Sequence, residues 1–154
     1  MTSSAKSKKA SSKKETEGVL SAIQADYLEI IYEEFLENGT ARGCSIAQAA
    51  NVTRATVTAT MRSLKALGYI NYEPYGPITL TDKGKEEAES LREKRLAIEA
   101  FFKDVFGTDP AVARKLASAN KHGAPEKMIR SLKRLTAFIN AHQKEWSAWP
   151  GEIG

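Results

Sequence analysis

At 154 residues the chain is long enough for one domain or for two small ones sharing a core. Hydrophobic residues make up 42% of it and charged residues 27%, and charges interrupt every apolar run well before it could form a transmembrane helix. Cys44 is the single cysteine, which excludes an intrachain disulfide and a cysteine-based zinc site.

The net charge of +4 is unevenly placed. Residues 1–14, MTSSAKSKKASSKK, hold five lysines and no acid, and setting those five aside leaves 18 basic against 19 acidic residues. A Ser/Lys tract with almost no large apolar side chain cannot offset its ordering entropy, so residues 1–17 are expected to be a disordered basic tail. It either keeps the protein soluble or lies along phosphates, adding salt-dependent and sequence-independent affinity. It lacks the apolar core of a signal peptide, which leads to the expectation of a cytoplasmic protein.

Leu20, Ile23, Tyr27, Ile30, Ile31 and Phe35 follow helical spacing and predict a first helix over about 19–37, stopped by Asn38 and Gly39 as a left-handed cap. A short second helix is expected from Ser45, its N-cap, to Ala50. Asn51 suits the tight turn that follows, because Asn tolerates the left-handed region. Thr53 then caps a third helix from Arg54 to about Leu67, with Val57, Met61 and Leu64 on its buried side.

Two strands, YINYE and ITLT, flank the turn PYGP. Thr81 is the expected cap of a long helix from Asp82 to about Phe106, with Leu91, Ile98, Phe101 and Phe102 on one side. GTDP ends it, and Pro110 opens another helix as a first-turn proline. KHGAP ends that one, and a last helix runs from about Pro125 through Leu132, Leu135, Phe138 and Ile139. The segment EWSAWPGEIG is expected to be irregular. Trp146 and Trp149 would either close over the chain's own core or anchor a partner.

Three helices, the second short and followed by a tight turn, and then a hairpin describe a winged helix–turn–helix over residues 18–81. The fold class is mainly α. Ile46, Ala47 and Ala50 pack the second helix on the third, and small Ala47 lets the backbones approach. The third helix offers Arg54, Thr56, Thr58, Thr60 and Arg62 around its exposed side, with Thr53 at its start. Its first turn can direct hydroxyls, free backbone N–H groups and Arg54 into a major groove. TRATVTAT is rich in β-branched residues that are poor helix formers, so a purely structural reason for it on a solvated helix is lacking. The wing, YEPYGP, has no Lys or Arg and offers shape and Tyr75 alone. Double-stranded DNA is therefore the expected partner. The competing reading is a winged-helix adaptor that recruits another protein. With no phosphate loop, no plausible nucleophile–histidine arrangement and two histidines in all, no enzyme is expected.

The stretches DYLEIIYE and SIAQAANVTRATVTATMRSLKALGYINYEPYGPITLTDKGKEEAESL resemble the diphtheria toxin repressor (DtxR)/MntR family of metal-dependent transcriptional regulators, from about Ile23 to Ile139. The resemblance implies a homodimer with a helical dimerisation domain, expected over residues 82–142 before a C-terminal tail over 143–154, and repression of metal-uptake genes in response to Mn(II) or Fe(II). Asp26 and Glu29 match the family's first-helix ligand pair. The family's long-helix His falls on Arg95, and its later ligand group falls on Ala117, Asn120 and Lys121. Arg95 and Lys121 have no available lone pair at neutral pH. They are expected to pair with Asp26 and Glu29 in place of a metal, so that no cofactor is needed and metal dependence is lost or altered. Alternatively these are ordinary surface charges of little energetic weight. A one-residue shift in the alignment would instead place His122 at the ligand position, giving Asp26, Glu29 and His122 as a site for Mn(II), Fe(II) or Zn(II).

Overall fold

The computed structural model describes residues 20–149; the basic tail expected over residues 1–17 and the stretch 150–154 lie outside the described residues. The described chain is mainly helical with one small sheet, and it divides into two compact units that meet in sequence between Lys85 and Glu86.

In the first unit, α1 (Ala22–Asn38) starts where Ser21 and Gln24 cap each other. The Ser21 hydroxyl accepts from the Gln24 N–H at 3.2 Å, and Gln24 Oε1 accepts from the Ser21 N–H at 2.8 Å. This reciprocal cap, rather than apolar spacing, sets the helix start, which lies later than the expected residue 19. The buried stripe is Tyr27, Leu28, Ile31 and Tyr32, while Ile23 is 65% exposed and outside the core. Gly39 ends the helix at φ 77°, as its glycine identity predicts.

The second helix, α2 (Gly43–Ala50), begins two residues before the expected Ser45 cap, with Arg42 in the N-cap position and no side-chain cap bond. The chain enters it from a backbone pairing of Ala41 with Ile78 (N···O 3.0 and 2.8 Å), a long-range contact that local sequence does not announce. Asn51 takes φ 53°, ψ 50°. The third helix, α3 (Arg54–Ala66), is capped by Thr53, whose hydroxyl accepts from the Thr56 N–H at 3.3 Å. Leu28, Ile31, Ile46, Met61, Leu64 and Ile78 are fully buried and form the core that fixes α1, α2 and α3.

Strands β1 (Ile70–Asn71) and β2 (Thr79–Leu80) pair antiparallel, Ile70 with Leu80 and Asn71 with Thr79. They are shorter than YINYE and ITLT suggest. Lys65 Nζ takes the Tyr72 carbonyl at 2.8 Å, and Pro77 has no N–H to give to a ladder. Thr81 caps α4 (Asp82–Phe106), its hydroxyl accepting from the Gly84 N–H at 3.0 Å and donating to the Gly68 carbonyl at 2.7 Å. Gly84 lies against the backbone of Tyr69: a Cβ there would sit 1.9 Å from the Tyr69 carbonyl oxygen.

In the second unit α4 is followed by α5 (Pro110–Asn120), capped by the Asp109 carboxylate on the Ala111 and Val112 N–H groups at 2.9 and 3.3 Å. A 3-10 turn (Lys121–Gly123) leads to α6 (Glu126–Ala141). Ala97, Ile98, Ala117, Ala124 and Ile129 form this unit's core with Phe102 and Leu132 against it. Lys94 pairs with Glu126 at 3.1 Å and Lys133 with Glu93, tying α4 to α6. Leu135 and Phe138, expected on the apolar side of α6, are 45% and 61% exposed. The segment expected to be irregular instead carries α7 (Gln143–Ser147), held by Trp146 N–H to the His142 carbonyl at 2.9 Å. Trp146 is half-buried and Trp149 exposed, so the two tryptophans have different surroundings.

Replacing Gly84 by Ala is expected to destabilise the first unit by about 3 kcal/mol, because backbone rather than a flexible side chain must move; chemical denaturation of the variant measures it. The hydrogen bond and charge of Lys133 hold the Glu93 carboxyl below its ordinary value of 4.5. A depressed carboxyl stabilises the fold above the unfolded value and loses that contribution as pH falls through the folded one. Glu93→Gln should therefore cost about 0.5 kcal/mol or less near neutrality, this being an exposed pair. Denaturation curves of the two proteins should converge as pH is lowered below 4.5.

Candidate nucleic-acid interface

The helix α3 turns one side to the core through Val57, Met61 and Leu64 and leaves Arg54, Ala55, Thr56, Ala59 and Arg62 exposed. Thr58 and Thr60 are half-buried at its edges. Their hydroxyls donate back into the helix, Thr58 Oγ1 to the Arg54 carbonyl at 2.9 Å and Thr60 Oγ1 to the Thr56 carbonyl at 3.2 Å. The Thr53 and Thr56 hydroxyls lie 3.0 Å apart in the cap. The Thr58 and Thr60 hydroxyl protons are thus taken up within the helix, and Arg54 and Arg62 supply side-chain donors on its exposed side. The back-bonding also gives TRATVTAT a structural rationale that composition alone did not show.

A cleft of about 690 Å³ opens between α3, the start of α2 and the hairpin. Arg42, Arg54, Arg62, Tyr72, Pro74 and Tyr75 are among its lining residues, none of which is acidic. Arg42 is the residue that sequence reasoning missed. It reaches the cleft because the Ala41–Ile78 pairing brings the start of α2 beside the hairpin. Glu73, the acid of the hairpin tip, is matched by Lys65 at 2.8 Å. Tyr75 stands at the tip fully exposed with φ 65°.

The other expected site residues divide by burial. On α1, Asp26 is exposed and Glu29 only 4% exposed. Arg95 on α4 is 5% exposed and donates to Glu99 Oε2 at 3.2 Å, and Lys121 in the 3-10 turn is 3% exposed, whereas His122 is exposed. All five of Asp26, Glu29, Arg95, Lys121 and His122 are engaged by a partner. Lys121 and Arg95 are thus not ordinary solvated surface charges. Among the described residues no three His, Cys, Asp or Glu side chains gather into a group able to hold a metal ion.

A capped helix with arginines on its exposed side, preceded by a tight turn and followed by a hairpin, defines the class of winged helix–turn–helix DNA-binding proteins, here joined to a second helical unit. Residues 19–78 match the family model for the iron-dependent repressor N-terminal DNA-binding domain, and residues 81–145 match that for the iron-dependent repressor metal-binding and dimerisation domain. The chain belongs to the iron-dependent repressor family, the DtxR/MntR group that its sequence resembles.

An uncharacterised HTH-type transcriptional regulator of Methanocaldococcus jannaschii is 37% identical over 109 residues, covering 70% of this chain and 87% of the relative. The transcriptional regulator MntR of Salmonella typhimurium is 31% identical over 117 residues, covering 76% of this chain and 72% of the relative. Among solved structures, T. acidophilum IdeR is 26% identical with a TM-score of 0.66 over 73% of this chain and 53% of that one. The chain therefore spans about half the length of that solved protein. It is a DNA-binding transcriptional regulator with a dimerisation module, and its partners are double-stranded DNA and a second copy of itself. No described helix is long and apolar enough to cross a membrane.

One expectation is corrected. The chain was expected to need no cofactor, but its second module matches the domain described as the metal-binding and dimerisation domain of the iron-dependent repressors. Cationic side chains at two positions do not exclude metal binding elsewhere in the module. Arg95 and Lys121 themselves offer no lone pair to a metal, whereas Asp26 and Glu29 are carboxylates of the kind that ligates divalent ions.

Thr53→Ala removes the cap of α3 and should lower stability by about 1 kcal/mol, read as a shift of the denaturation midpoint.

Proposed function

We propose that the chain is a homodimeric repressor that reads double-stranded DNA with the exposed side of α3. Thr53, Arg54, Thr56, Thr58, Thr60 and Arg62 contact the major groove or its phosphates, and Tyr75 contacts DNA from the hairpin. Residues 18–81 form the DNA-binding part and residues 82–142 the dimerisation part. The observation that carries this reading is the acid-free cleft lined by Arg42 at the entry to α2 and by Arg54 and Arg62 of α3, beside a helix whose exposed side carries small side chains. Such a surface allows close approach to base edges while the charges meet phosphate oxygens. Dimerisation is supported by Met128, Leu135 and Phe138, which leave an exposed apolar stripe along α6 that a second copy would cover. The protein acts in the cytoplasm, as a regulator and not as an enzyme.

Selection of bound duplexes from a random pool, run with chelator and with added Mn(II) or Fe(II), tests the reading. Enrichment of a defined sequence is expected. Arg54→Ala and Thr58→Ala should weaken binding to that sequence, Arg54→Ala by about tenfold, without loss of the dimer or of the thermal transition. Failure to enrich any sequence under any of these conditions would overturn it.

A further inference from the structure

The hydrogen bonds of α3 leave few side-chain donors on its exposed face. The Thr58 and Thr60 hydroxyls are spent on the helix's own carbonyls, and those of Thr53 and Thr56 meet each other in the cap. At 3.6 residues per turn, the ridge opposite the buried Val57, Met61 and Leu64 consists of Ala55, Ala59, Arg62 and Ala66, all exposed. Arg62 is the only polar side chain on that ridge, and its neighbours there are alanines. Among the described residues none engages its guanidinium.

The other polar groups of α3 lie to its sides. Thr58 and Thr60 are half-buried on opposite edges. Arg54 stands one turn before Thr58, whose hydroxyl reaches the Arg54 carbonyl, and Lys65 stands two turns after it on the same edge. That edge faces the hairpin, because Lys65 Nζ donates to the Tyr72 carbonyl and to Glu73 Oε1, both at 2.8 Å. A helix with its side chains is about 10–12 Å across, and the major groove is about 12 Å wide and about 8.5 Å deep. A helix lying in the groove turns its edges to the walls, where the phosphates run. Its outermost ridge meets the floor, where base edges are exposed. The alanines around Arg62 let the backbone come close, and the flexible stem of the arginine spans the remaining distance.

We propose that Arg62 is the specificity-determining residue of this interface, its guanidinium donating two parallel hydrogen bonds to O6 and N7 of a guanine on the groove floor. The proposal rests on the DNA-binding reading above and narrows it from a surface to one residue and one base. A guanidinium carries donors and no acceptor, so it matches the paired acceptors of guanine. Adenine and cytosine each place an amino donor in the groove, and thymine offers a single acceptor beside its methyl group. An arginine held by phosphate would instead add affinity for every sequence alike and make that affinity fall with salt.

The test begins with duplexes selected from a random pool by the full chain, which are expected to hold a guanine at a fixed position. The same selection with Arg62→Ala should return a site that differs at that base pair alone, where all four bases become tolerated. Deazaguanine, in which C–H replaces N7, keeps the base pair but removes one acceptor. Placed at that guanine, it should weaken binding of the unaltered chain about tenfold and change the affinity of Arg62→Ala by less than about twofold. A pool that keeps its guanine under Arg62→Ala, or full affinity of the unaltered chain for the deazaguanine duplex, would overturn the assignment and leave DNA binding by α3 intact. So would a uniform loss across sequences with a salt slope lower by about one, the mark of a phosphate contact. An unaltered chain that enriches no sequence would overturn the DNA-binding reading itself, and the guanine contact with it.

Discussion

Asn51 sits between α2 and α3 at φ 53°, ψ 50°, and the orientation of the exposed side of α3 depends on that residue. Its N–H donates to the Gln48 carbonyl at 3.2 Å, and the Val52 N–H reaches the Ala47 carbonyl at 3.0 Å, so the chain reverses within two residues. The left-handed conformation costs an ordinary L-residue roughly 1–2 kcal/mol, and Asn less. Thr53 then starts α3 at once by capping it. With so little slack between the helices, Ile46, Ala47, Met61 and Leu64 are all buried, and the opposite side of α3 faces outward.

From that constraint the interface assembles out of segments far apart in sequence. The Ala41–Ile78 pairing joins the entry to α2 with the return strand of the hairpin. Arg42 thereby lines the same cleft as Arg54 and Arg62, although 12 and 20 positions separate it from them. Thr81 and Gly84 close the first unit from the other end, the hydroxyl spanning Gly68 and Gly84 while the missing Cβ lets α4 approach Tyr69. The charge balance of residues 15–154 is almost neutral, so the cationic character of the cleft is a matter of placement and not of composition.

Features encoded locally were legible in the sequence. Gly39, Asn51, Thr53, Thr81 and Pro110 mark caps and turns through their own backbone and side-chain chemistry, and all stand where that chemistry placed them. Features set by distant partners were not. The start of α2 moved from Ser45 to Gly43 because strand pairing, and not a side-chain cap, defines it. Ile23 fits helical spacing but lies outside the core, since the spacing of α1 allows two adjacent stripes and only packing chooses between them. The threonine hydroxyls of α3 looked like donors for DNA, and two of them are turned onto the helix's own carbonyls. The cofactor reading erred for another reason: ligand identity at aligned positions describes those positions, whereas the second module as a whole belongs to a metal-binding domain.

The central claim is that α3, the start of α2 and the hairpin act together as the DNA-reading surface. Backbone amide chemical shifts recorded as the selected duplex is added test it most directly. The account predicts the largest changes at residues 42–44, 53–62 and 72–77, with Tyr75 moving together with Arg42. Changes confined to residues 86–149, with those three segments unmoved, would contradict it.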